Sequence, residues 1–214
     1  MTAIFTDSTM GDDARRQRLY QGDLFAYRPL PAVKALADFA RGLIEEGFGG
    51  VDPVQAQHEM PVEEFVAIFG PLKPKFIHHP ETKLLLRNVM AELGADLDQT
   101  YVDVPRLRGV TSDGYLTAGV GYAFPLHRDV WWSAPLAQIN WWLPIYDMES
   151  ESAMAFHPNY WTRGISNGSE HFNYYDYNAN GRAQAAEHIK KDTRVQPGPR
   201  EPVERDPEIR IVCP

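Results

Sequence analysis

The stretch Gly119-Val120-Gly121-Tyr122-Ala123-Phe124-Pro125-Leu126-His127-Arg128-Asp129 decides the fold. Tyr115 to Phe124 is dense in strand-forming residues and predicts a β-strand. His127 and Asp129 follow it two residues apart, and on a strand residues i and i+2 face the same side. An imidazole and a carboxylate then approach one point from one wall. Tyr122, at odd separation from His127, falls on the opposite face unless a bulge intervenes near Pro125. The tripeptide alone also fits a salt-bridged surface pair, so its surroundings carry the weight.

Working outward, Tyr101 to Leu107, Gln138 to Tyr146 and Ser152 to Phe156 read as further short strands. Ile209, Ile211 and Cys213 alternate with Arg210 and Val212 and begin another. Short, closely spaced strands predict a sandwich or barrel, not a parallel α/β sheet. Trp161 to Arg205 is polar and reads as a long excursion with one helix near Ala183 to Lys191; long loops are frequently functional. Upstream the texture is helical. Leu24 to Tyr27 is a short strand. Pro31 opens a helix that Gly47 stops. A second helix spans Pro61 to Phe69, closed by Gly70-Pro71, and a third runs from Pro80 to Leu93.

The segment after Asp129 supplies the context. Gln138-Ile139-Asn140-Trp141-Trp142-Leu143-Pro144-Ile145-Tyr146 is a Trp-rich strand followed by Asp147, an acidic turn, the small-residue run Ser152 to Phe156, and His157-Pro158. From Tyr101 to about Trp161 this pattern resembles the phytanoyl-CoA dioxygenase-like branch of the iron(II)/2-oxoglutarate oxygenases. The resemblance implies a mainly β fold, a double-stranded β-helix or jelly roll, with residues 1–100 as a helical N-terminal extension. Residues 101–214 would then be the core, with 161–205 inserted in it. The resemblance also implies iron(II), 2-oxoglutarate and dioxygen, with His127 and Asp129 as the first two iron ligands. Two histidines and one carboxylate on one face of such an ion leave the other positions open.

The family's second histidine, and a basic residue that anchors the cosubstrate, usually follow the excursion on a late strand. They are expected beyond Pro214, and the jelly roll is expected to be incomplete at the C-terminus. Within the chain, His157, His171 and His188 are the weaker candidates for a third ligand. Asp129 favours hydroxylation over halogenation, because the halogenases of this superfamily replace that carboxylate with a small residue.

Gln138, Asn140 and Trp142 share one strand face, and the two amides suit hydrogen bonds to a carboxylate cosubstrate. They serve equally well to satisfy neighbouring backbone. Trp131 and Trp132 either floor a substrate pocket or belong to the core. Arg106 and Arg108 share a face and suit an anionic substrate or plain solvent. His78-His79 precede Pro80 in a loop.

Composition bounds the rest. The chain has 214 residues, a net charge of −8 and a pI near 5.3. That disfavours nucleic acid, whose binding needs a basic surface. Cys213 stands alone, which excludes an intrachain disulfide and favours a reducing compartment. No apolar run reaches membrane length, and the polar, acidic start from Met1 to Asp13 lacks signal-peptide features. A cytoplasmic protein acting on a small molecule is expected, with its oligomeric state open. Two further functions fit: a non-catalytic jelly-roll protein that binds a small molecule, and a cupin-type metalloenzyme that does not use 2-oxoglutarate.

Overall fold

A computed structural model describes residues 2–117, 121, 125–180, 197–204, 209 and 210. Strand β1 (Ile4–Thr6) leads to α1 (Asp12–Tyr20) and β2 (Leu24–Ala26). β1 and β2 pair in parallel, with Phe5 opposite Phe25 and their rings stacked. Next come α2 (Pro31–Phe48), α3 (Ala56–Glu59), α4 (Val62–His78) and α5 (Pro80–Glu92).

α2 starts where Leu30 is extended and Pro31 enters the first turn, and it ends at Gly49 in the left-handed region. Its buried face, Leu36, Ala40, Leu43, Ile44 and Phe48, follows helical spacing. α4 does not stop at Phe69 as the Gly70-Pro71 pair predicts. It continues through Pro71 and Pro74 to His78, because Leu72 and Phe76 extend the apolar stripe begun by Phe65 and Phe69. Burying two more large side chains outweighs the donors that the prolines lack. His79 is no loop residue: its ring accepts the Glu81 backbone N–H at 3.1 Å and caps α5.

α2 packs against α4 and α5, and this helical layer supplies most of the core. The Phe65 ring lies 5.7 Å from each of Phe48, Phe69 and Tyr115. Leu107 and Leu116 are buried in the same cluster, and Leu143, Ile145 and Tyr146 pack on its edge.

The jelly roll is not there. Among the described residues 44% are helical and 6% are in strands. Residues 101–111 and 138–146 contain no strand. β3 (Ala155–Phe156) is all that forms of the Ser152 to Phe156 run. After it come α6 (Tyr174–Ala179) and β4 (Ile209–Arg210), and β4 pairs antiparallel with β3. The expected strand at Ile209 therefore begins where the alternation starts. Ile211, Cys213, Tyr122, most of Gly119 to Phe124 and the Ala183 to Lys191 helix lie outside the described residues.

A strand from Gln138 to Tyr146 fails because the segment finds other partners. Arg16 Nη1 donates to the Ala137 carbonyl at 3.0 Å. Arg41 donates to the Ile145 carbonyl, Nη2 at 2.6 Å and Nε at 3.2 Å. The guanidinium of Arg15 stacks 5.3 Å from the centre of Trp141, and that of Arg41 lies 5.5 Å from the centre of Tyr146. Helix arginines thus satisfy carbonyls and aromatic faces that a sheet would otherwise take.

Candidate functional site

Arg128 has extended dihedrals (φ −110°, ψ 141°), and a 3-10 turn over Asp129–Trp132 begins directly after it. One extended residue is enough to set the side chains of its two neighbours on one side. The Arg128 side chain is committed elsewhere: its guanidinium donates to the carbonyls of Tyr160 and Arg163 and lies over the Trp131 ring. The turn closes at Ser133, which takes the left-handed conformation.

His127 Nε2 lies 3.4 Å from Asp129 Oδ1. His127 Nδ1 donates to the Pro125 carbonyl at 2.6 Å. A carbonyl oxygen only accepts, so Nδ1 carries the ring proton. In the neutral ring, Nε2 then presents a lone pair on the Asp129 side. Asp129 Oδ2 accepts from Asn140 Nδ2, and Gln138 Nε2 donates to Asn140 Oδ1 at 2.6 Å. The His127 side chain is 26% exposed and that of Asp129 56%.

The hydrogen bond to Asp129 raises the His127 pKa, and it outweighs burial, which acts in the opposite direction. The same hydrogen bond lowers the Asp129 pKa, helped by Asn140 and by the charge of Arg108. Arg108 therefore lies within electrostatic reach of both. Arg106 is bonded to Tyr174 and paired with Asp103 at 3.3 Å.

The pair suits a divalent cation. It offers one imidazole nitrogen and one carboxylate oxygen. Cis donors each about 2.1 Å from an ion sit about 3 Å apart, close to the observed separation. A ligand histidine whose second nitrogen donates to a backbone carbonyl is a common arrangement around bound metals. Among the described residues no group of three His, Cys, Asp or Glu side chains forms. His171 pairs with Glu170 at 3.1 Å, with its side chain largely exposed. His157 is half-buried at the start of a 3-10 turn over Pro158–Tyr160 and does not join the pair in a three-donor group. His188 lies outside the described residues.

No protein-family model, curated protein or solved structure matches the chain. The site therefore stands on its own geometry.

Of the expected site residues, His127, Asp129, Asn140 and Gln138 come together in one chain of contacts. The two amides meet the Asp129 carboxylate, directly or through each other. Trp142 is exposed and not part of that chain. Trp131 is buried beneath Arg128. Trp132 is half-buried, with its ring nearly perpendicular to that of His127 and the ring centres 6.0 Å apart.

Behind Trp132 stand Phe172 at 5.0 Å and Tyr177 at 5.4 Å, two residues that sequence reasoning did not single out. Their signal was Asn173, whose side chain accepts the N–H groups of Tyr175 and Asp176 and starts α6. Phe172 also lines an open cavity of about 490 Å³ with Ser133, Glu170, His171, Asn173, Tyr174 and Tyr175.

Proposed function

We propose that His127 and Asp129 are two ligands of a mononuclear iron(II) centre, and that the chain is a 2-oxoglutarate-dependent dioxygenase hydroxylating a small organic molecule. The observation that carries this is the paired donors, 3.4 Å apart, with the His127 proton held on Nδ1 by the Pro125 carbonyl. The reading rests on that donor set and not on the fold. When bound, iron(II), 2-oxoglutarate and dioxygen supply the oxidising chemistry that side chains lack.

The chain's own residues bind and orient. His127 offers Nε2 and Asp129 offers Oδ1, and the single carboxylate charge partly neutralises the cation. The Trp132 ring stands nearly perpendicular to the His127 ring beside it. Trp132, Phe172 and Tyr177 form an aromatic cluster beside His127, and Phe172 also borders the open cavity. Among the described residues no third His, Cys, Asp or Glu side chain groups with the pair.

The test is anaerobic titration with iron(II), then addition of 2-oxoglutarate, with oxygen-dependent succinate release over a substrate panel. Stoichiometric iron binding lost in His127→Ala supports the reading. Absence of iron binding by the wild-type chain overturns it.

The aromatic cavity favours a second reading, a non-catalytic binding protein for small molecules. That reading expects ligand affinity to be unchanged in His127→Ala.

A further inference from the structure

Asn140 lies eleven residues beyond Asp129 and reaches it across irregular chain. Both carboxylate oxygens of Asp129 are engaged, and differently: Oδ1 faces His127, while Oδ2 accepts from Asn140. The Asn140 amide is oriented in turn by Gln138, which donates to its oxygen at 2.6 Å. With its oxygen occupied as an acceptor, the Asn140 amide has only its nitrogen to present to Asp129.

We propose that Asn140, oriented by Gln138, is a positioning residue that makes Asp129 a one-oxygen ligand. This rests on the iron reading above and deepens it. A hydrogen bond to Oδ2 lowers that oxygen's availability and leaves Oδ1 as the donor beside His127 Nε2. The consequence is a count of open positions. With His127 Nε2 and Asp129 Oδ1 each offering a single atom, a bound ion would keep more of its positions for a cosubstrate and dioxygen. If Asp129 bound through both oxygens, one of those places would be lost. The two amides are therefore assigned to the protein ligand and not to the cosubstrate carboxylate, the role their strand-face pattern suggested. Partners of this kind around metal ligands typically change affinity about 10- to 100-fold when removed.

The experiment uses the full chain and cobalt(II) or iron(II) alone, without oxygen. Asn140→Leu keeps the side-chain size and removes the donor; Asn140 is exposed, so the fold is not at stake. Affinity is expected to fall about 10- to 100-fold. With carbon-13-labelled aspartate, the separation between the antisymmetric and symmetric carboxylate stretches of Asp129 is expected to narrow towards that of a two-oxygen ligand. Asp129→Asn identifies the bands. Gln138→Met is expected to lose affinity in the same direction and by less. Wild-type affinity in Asn140→Leu, or an unchanged band separation, overturns the assignment while leaving the iron reading intact. Failure of the wild-type chain to bind either metal removes both.

Discussion

At the scale of single residues, the His127–Asp129 pair has a defined response to pH. Its partner raises the His127 pKa, so the stability this group contributes is fully present below the ordinary histidine value of about 6.5. It is lost as pH rises through the raised value. The pKa of Asp129 is lowered, so its contribution is present above the ordinary carboxylate value of about 4 and is lost as pH falls through the lowered one. The metal-free pair is thus most stabilising between roughly pH 4 and 6.5. Proton-detected titration of the His127 ring is expected to give a midpoint above the usual histidine range, returning towards it in Asp129→Asn. A midpoint that does not move would show that the two groups are not coupled. The pairing was legible in the sequence because one extended residue, Arg128, suffices to bring residues 127 and 129 to one side. The Asn140 contact was not, since it depends on the path of an irregular segment that no periodicity encodes.

At the scale of elements, the segment from Gln138 to Tyr146 shows why strand propensity misled. Its alternating aromatic and polar residues suit a pleated surface, but such propensity reflects neighbours more than backbone. Here the neighbours are helices. Arg41, on α2, holds the Ile145 carbonyl with two donors. Arg41→Met is expected to cost about 1 kcal/mol locally, seen as faster hydrogen exchange from residues 141–146 than from α4. Equal rates to wild type would show that packing alone holds the segment. α2 and α5, by contrast, were legible to within a few residues, because Pro31 and Pro80 mark their starts and their apolar spacing is helical; Gly47, expected to stop α2, lies inside it, and the helix ends at Gly49.

Gly22 is a second element-scale joint. It sits at φ +91°, and a Cβ there would lie 2.8 Å from the Trp161 ring, whose Nε1 donates to the Tyr20 carbonyl at 3.2 Å. Gly22→Ala strains the backbone and displaces the ring. A loss of about 1–3 kcal/mol is expected in chemical denaturation, and a wild-type midpoint would show that the turn after α1 adjusts freely.

At the scale of the whole molecule, the question is whether the site region and the helical layer unfold together. The buried cluster says they do, since Leu107 and Leu116 sit among the side chains of α2, α4 and α5, with Leu143, Ile145 and Tyr146 on its edge. The chain offers a direct check. All five tryptophans lie from Trp131 onward, whereas the long helices lie before residue 93. Intrinsic fluorescence therefore reports the site region, and far-ultraviolet circular dichroism reports mainly the helices. For one cooperative unit the two denaturation curves coincide. Phe69 is 4% exposed at the centre of the cluster. Phe69→Ala is expected to cost about 3–5 kcal/mol and to move both curves by the same amount. A fluorescence midpoint that stays in place while the dichroism midpoint falls would divide the molecule in two. The His127–Asp129 geometry would then owe nothing to the helices, and the arginine contacts from α1 and α2 would be attachments to a region that folds by itself.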